Sequence, residues 1–227
     1  SDLDLLFVYE SRLEGFDGDA HSNATRWAQK MIGLLQAQTR DGIVYKIDAR
    51  LRPSGRSGPL VASIERFVDY HRTEAELWER QAHIRARVVY GSERLRRRIE
   101  TTIDQLVYGA GLDTAGIREI DSLRTRVENE LAAEGPGRTN VKTGRGGIVD
   151  IEFLVQMLLL RHGHDHLAVR RRGTAEAIVK LAEAGLMPAE DAATLTEAYR
   201  FLRVLEARMR LERDRAVEQL GTDPDVL

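Results

Sequence analysis

Ser1-Asp2-Leu3-Asp4-Leu5 places two carboxylates two residues apart at the head of an apolar run, Leu5-Leu6-Phe7-Val8-Tyr9. A strand has a side-chain period of two, so Asp2 and Asp4 point to one side of it. Like charges that close raise each other's pKa unless a cation lies between them. Hard oxygen donors of this kind suit Mg²⁺ or Mn²⁺. The plainer alternative, two solvated acids at a strand start, stays open on the pair alone.

Asp48 supplies a third carboxylate, at the end of the alternating segment Ile43 to Ala49. Two acids at i and i+2 plus one from a neighbouring strand form the ligand set of a two-metal phosphoryl- or nucleotidyl-transfer site. The stretch that follows, Asp48-Ala49-Arg50-Leu51-Arg52-Pro53-Ser54-Gly55-Arg56-Ser57-Gly58, is rich in arginine and glycine. Cations beside a carboxylate cluster make sense when a polyphosphate bridges them, and glycines let backbone approach it. Ser1, Arg50, Arg52 and Ser54 are therefore candidate nucleotide or phosphate contacts. Arg85 and Arg87, on one side of an expected strand over 84–90, form a candidate second clamp. The alternatives are an Asp48 paired with Arg50 or Arg52, a solvated loop, and Arg85 and Arg87 paired with Glu76 or Glu79.

Lys142-Thr143-Gly144-Arg145-Gly146-Gly147 opens a helix at Ile148. A Gly-rich loop feeding a helix can bind an anion through free N–H groups and the helix dipole. Lys142 precedes the glycines, so this is not a Walker P-loop. Asp150 in the first turn is explained by the dipole. Glu152 and Gln156 lie one turn apart on an otherwise apolar helix and need partners. Arg145, Lys142 or an arginine from the first domain meets that need, so Lys142, Asp150 and Glu152 are read as interdomain or supporting residues. Asp150 and Glu152 are about 200° apart on a helix and cannot share a metal. His162, His164 and His166 read as solvated histidines at a turn rather than ligands.

These residues need elements to hold them. A buried strand is expected over 3–9. A helix capped at Ser22 or Asn23 then runs to about Thr39, with Trp27, Met31, Leu34 and Leu35 as its core stripe. A turn at Asp41-Gly42, the strand at 43–49 and a short strand at 60–63 follow. Residues 64–80 read as helix broken near Thr73. Beyond Ser92 the pattern is almost wholly helical, with runs at about 92–108, 113–133, 148–162, 174–184 and 188–214. The chain thus divides near Gly91 into a mixed part, 1–91, and an all-helical bundle, 92–227, an α+β class. Its abrupt opening on a strand reads as a piece of something longer, with part of the first domain missing at the N-terminus.

Composition narrows the function. The 227 residues carry 34 Lys and Arg against 36 Asp and Glu, a net charge of −2, which argues against a general nucleic-acid binder. With no cysteine, disulfide and thiol chemistry are excluded, which fits a cytoplasmic protein. The longest apolar run, Ile148 to Leu160, is interrupted by Asp150, Glu152 and Gln156, so no membrane span is expected.

Four segments in order resemble the bacterial glutamine synthetase adenylyltransferase/adenylyl-removing enzymes. They are Ser1 to Leu5, then Asp48-x-Arg-Leu-Arg-Pro-Ser-Gly-x-x-Gly-x-Leu-Val61, then Trp78-Glu-x-Gln-Ala-x-x-Arg-Ala-Arg-Val-Val-x-Gly91, then Gly146-Gly-Ile-x-Asp-Ile-Glu-Phe-x-Val-Gln156. The resemblance implies a DNA polymerase beta-type nucleotidyltransferase domain followed by a helical domain. It matches Asp2, Asp4 and Asp48 to metal-binding carboxylates, with Mg²⁺ or Mn²⁺ and ATP. It implies AMP transfer from ATP to a tyrosine of glutamine synthetase, under a PII-type signalling protein and glutamine, beside another half of the same polypeptide. The motifs at Arg52, Arg85 and Ile148 lean to the adenylylating half, while Gly58-Pro59-Leu60 and Trp78-Glu79-Arg80 lean to the removing half. The deadenylylating half and an inert docking module are the alternatives. A Gly-Gly-x-Glu-Leu segment that precedes the first motif in the family has no counterpart before Ser1.

Overall fold

The computed structural model describes residues 2–11, 19–40, 42–43, 45–213 and 219–221. Ser1, Asp41 of the expected turn, and residues 12–18, 44, 214–218 and 222–227 lie outside them. The fold is α+β: eight helices and eight short strands are described, and every strand pairs with one partner only. No described helix is long and apolar enough to cross a membrane.

The chain forms two compact units, and neither is continuous in sequence. Unit one comprises residues 1–80 and 87–106; unit two comprises 81–86 and 107–227.

In unit one the segment expected as a single strand is two, β1 (Leu3–Asp4) and β2 (Phe7–Tyr9). β1 pairs in parallel with β5 (Ile47–Asp48), and β2 pairs in parallel with β6 (Val61–Ser63). β1 is exposed and β2 half-buried, so the expected burial is corrected: a strand with one short neighbour leaves a face and an edge open. Between them lie α1 (Ala20–Leu35) and a hairpin of β3 (Gln38–Thr39) and β4 (Gly42–Ile43). The expected strand over 43–49 is thus split between β4 and β5. Asp19, rather than Ser22 or Asn23, caps α1; its carboxylate accepts the N–H groups of His21 and Ser22.

The expected core stripe of α1 is also corrected. Trp27 is 71% exposed and Leu34 78% exposed, and Met31 is exposed beside them. The helix contacts β2 and β6 through its other side, where Ala28 is buried. A small residue admits close approach of helix to sheet, so the side carrying the bulky residues turns outward. The core of unit one is Val61, Ala62, Ile64, Phe67 and Tyr70, from β6 and α2 (Ile64–Thr73). After the expected break comes α3 (Leu77–His83). Residues 84–90 form no strand; they are turn and irregular chain. α4 (Glu93–Tyr108) closes the unit. Its Arg94 and Arg98 are 3.1 and 3.7 Å from the buried Glu10 carboxylate.

Unit two is built on α5 (Thr114–Leu131), α6 (Ile148–His162), α7 (Thr174–Glu183) and α8 (Ala189–Arg213). Helical spacing places Ile148, Ile151, Val155 and Leu159 on the buried side of α6, with Ala177, Ile178 and Leu181 of α7 also in the core. β7 (Arg138–Asn140) pairs antiparallel with β8 (Gln219–Gly221).

Candidate active site

The decisive geometry is the register of β1 on β5. Asp4 lies directly opposite Asp48. Partners in a parallel ladder share a face, so the two carboxylates project together from strands about 4.8 Å apart. Asp2 shares that face two residues earlier.

The two carboxyls are pushed in opposite directions. Burial, and then the charge of Asp48, raise the Asp4 carboxyl above its ordinary range, with Asp2 adding to the effect. Arg50 holds Asp48 below the usual carboxylate range. Its Nε donates to Asp48 Oδ2 at 2.6 Å, its second nitrogen pairs with the same oxygen, and its backbone N–H donates to Oδ1 at 2.9 Å. Neighbouring acids whose environments drive them apart are a common arrangement in acid–base and metal sites. Among the described residues no group of three or more His, Cys, Asp or Glu side chains is arranged to hold a metal ion, and Asp48 is engaged by Arg50. The donor chemistry nevertheless fits a hard divalent cation: paired carboxylate oxygens, one of them disfavoured as an anion by its neighbour.

The loop after Asp48 is folded by one of its own arginines. Arg52 donates to Ala49 O at 2.6 Å, Gly58 O at 3.2 Å and Arg56 O at 3.4 Å. Ser54 and Gly55 both take left-handed backbone, φ 61° and 55°, which turns the chain back on itself. Ser54 O accepts the Ser57 hydroxyl at 2.7 Å. Arg56 is exposed, and its charge reaches Asp48.

Arg85, Asp150 and Glu152 belong to unit two. Arg85 donates to Glu152 Oε1 and to Thr174 Oγ1, each at 2.8 Å. Tyr199 donates its hydroxyl to the same Glu152 oxygen at 2.9 Å, and burial raises that phenol's pKa. Gln81 donates to Gln156 at 2.8 Å, and His83 is fully buried. The partner of Glu152 is therefore an arginine from before Gly91, but one packed within the same unit. Arg87 is exposed in unit one.

The Gly-rich loop before α6 is not an open anion cradle. Its N–H groups are already used: Lys142 and Thr143 donate to Asn140 Oδ1, Gly144 to Asn140 O, Gly146 to Asp150 Oδ2, Gly147 to Gly144 O, and Ile148 and Val149 to Val141 O and Lys142 O. Asp150 also pairs with Arg124 of α5, a residue the sequence reading passed over. Arg124 is nine-tenths buried and donates to Thr143 O and Gly144 O at 3.2 and 3.0 Å. Its signal was an arginine within the helical run 113–133, indistinguishable there from its solvated neighbours. His164 Nδ1 lies 3.1 Å from Tyr108 O, and the histidines form no metal group among the described residues.

Comparison with known proteins fits this layout. A family model described as glutamate-ammonia ligase adenylyltransferase matches residues 1–102, and one described as GlnD PII-uridylyltransferase matches 118–227. The chain is 40% identical to the bifunctional glutamine synthetase adenylyltransferase/adenylyl-removing enzyme of Streptomyces coelicolor, over 99% of its own length and 22% of that protein. Over nearly its whole length the chain is similar to this family. The proteins of the same name from Neisseria meningitidis and Streptomyces avermitilis are each 36% identical, over 99% and 98% of this chain and 25% and 22% of theirs. The chain thus spans roughly a quarter of the length of the glutamine synthetase adenylyltransferase/adenylyl-removing enzymes it matches. The two family models meet between residues 102 and 118, where unit one ends at 106.

Proposed function

We propose that the chain is a nucleotidyl-transfer module of DNA polymerase beta type. It moves AMP from ATP to a tyrosine of glutamine synthetase and so restrains nitrogen assimilation. The observation that carries this reading is the opposition of Asp4 and Asp48 beside an arginine-bearing loop. Asp2, Asp4 and Asp48 would hold Mg²⁺ or Mn²⁺, which when bound neutralises phosphate charge and makes the target hydroxyl a better nucleophile. Asp48 orients the tyrosine hydroxyl and accepts its proton. The phenolic oxygen bonds to the α-phosphorus as the bond to pyrophosphate breaks. Arg50, which neutralises Asp48, exchanges that carboxylate for a phosphate oxygen when the triphosphate arrives. Unit two, matched by the uridylyltransferase model, is the part through which a PII-type protein would act, and the module works beside another half of one cytoplasmic polypeptide.

Asp48→Asn in the intact enzyme should abolish labelled AMP incorporation into glutamine synthetase, a loss of at least about a hundredfold, with the thermal midpoint unchanged. Near-normal incorporation would sink the assignment. The relatives carry both activities in their name, which favours a second reading, removal of AMP with phosphate as the attacking group. Offering adenylylated glutamine synthetase and phosphate, and assaying ADP, separates the two.

A further inference from the structure

The three arginines after Asp48 are not equivalent. Arg50 is committed to Asp48. Arg52 is committed to three backbone carbonyls, and those contacts define where the loop goes. By holding Ala49 O and Arg56 O on one guanidinium, Arg52 brings the tip of the loop back beside the end of β5. The glycine at 58 makes this fold possible: a Cβ there would stand 2.1 Å from Pro53 O. The left-handed pair Ser54 and Gly55 completes the reversal. Arg56 is carried on the short turn Gly55–Ser57, is exposed, and its guanidinium makes no hydrogen bond or ion pair among the described residues.

We propose that Arg56 is the guanidinium that receives the β- and γ-phosphates of the nucleoside triphosphate, and that Arg52 is a positioning residue that holds Arg56 beside Asp48. The assignment rests on the nucleotidyl-transfer reading of this site. An exposed planar guanidinium that forms no ion pair among the described residues, yet lies close enough for its charge to act on Asp48, suits a polyanion that spans both. Arg52 cannot fill that role without releasing the loop that it shapes.

The test is calorimetric titration of the full chain and of Arg56→Ala, Arg52→Lys and Arg52→Ala with ATP, AMP and tripolyphosphate, each with Mg²⁺. Arg56→Ala should weaken ATP and tripolyphosphate binding by about tenfold or more, leave AMP binding within about twofold, and keep the thermal midpoint. Arg52→Ala should weaken ATP binding and also lower the midpoint, and Arg52→Lys, which cannot reach three carbonyls from one plane, should follow it. Unchanged ATP binding in Arg56→Ala, or equal losses for ATP and AMP, would overturn the Arg56 assignment alone. Normal ATP binding in both Arg52 variants would overturn the positioning role. A wild-type chain that binds neither ATP nor tripolyphosphate would overturn the reading of the site itself and the assignment with it.

Discussion

Gly58 shows how much a single residue decides in this molecule. Its missing side chain lets Pro53 O occupy space that any Cβ would claim, and the obstacle is backbone that cannot rotate away. Gly58→Ala should therefore displace the loop after Asp48. The expected readout is a fall in ATP affinity together with a loss of about 1–3 kcal/mol in unfolding free energy, measured by urea titration. The same scale explains what could be read in advance. The opposition of Asp4 and Asp48 was legible because each acid lies in an apolar run that reads as a strand, and side chains along a strand alternate with a period of two. The roles of Arg50, Arg52 and Arg56 were not, because spacing alone does not say which guanidinium turns into the loop and which turns out. That distinction depends on the left-handed turn at Ser54 and Gly55, and serine gives little warning of such backbone.

Among the elements, α6 and the loop that feeds it carry the strongest local constraint. Arg124 lies almost fully buried between Asp150 and two loop carbonyls. Without Asp150 the buried cation keeps only the Glu128 carboxylate, 3.6 Å away, so Asp150→Ala should cost up to about 3 kcal/mol and lower the thermal midpoint accordingly. A conservative Asp150→Glu that retained the pair should recover part of it. The helices of unit two were legible because their apolar positions recur at helical spacing over many turns. The strands were harder: β1, β4 and β5 have two residues each, too few for alternation to register. The outward Trp27, Met31 and Leu34 of α1 show the converse limit, since periodicity identifies an apolar stripe but not whether this chain covers it. The Gly-rich loop misled for a related reason. Its free N–H groups exist only if the loop fails to satisfy itself, and Asn140 and Asp150 see that it does not fail.

At the level of the whole molecule, one buried histidine ties stability to pH. Burial lowers His83 from 6.5 to about 4. In the unfolded chain the same imidazole takes up a proton near 6.5, so the unfolded state gains protons first as the pH falls. The contribution is complete above pH 6.5 and is lost progressively towards pH 4, by a total on the order of 3 kcal/mol. Urea midpoints at pH 7 and pH 5 should differ for the wild type, and His83→Gln should flatten that difference. An equally steep slope in the variant would show that other groups carry it. His83 sits in the short segment 81–86, together with Gln81 and Arg85, and that segment belongs to unit two although the chain on either side of it belongs to unit one. The polypeptide is therefore stitched rather than concatenated. Neither unit can be exchanged between relatives by a single crossover: a chimaera joined at residue 107 inherits Glu152 and Gln156 from one parent and the side chains that answer them from the other. Divergence at Gln81 and Arg85 is in this way bound to divergence on α6, across some seventy residues of intervening chain.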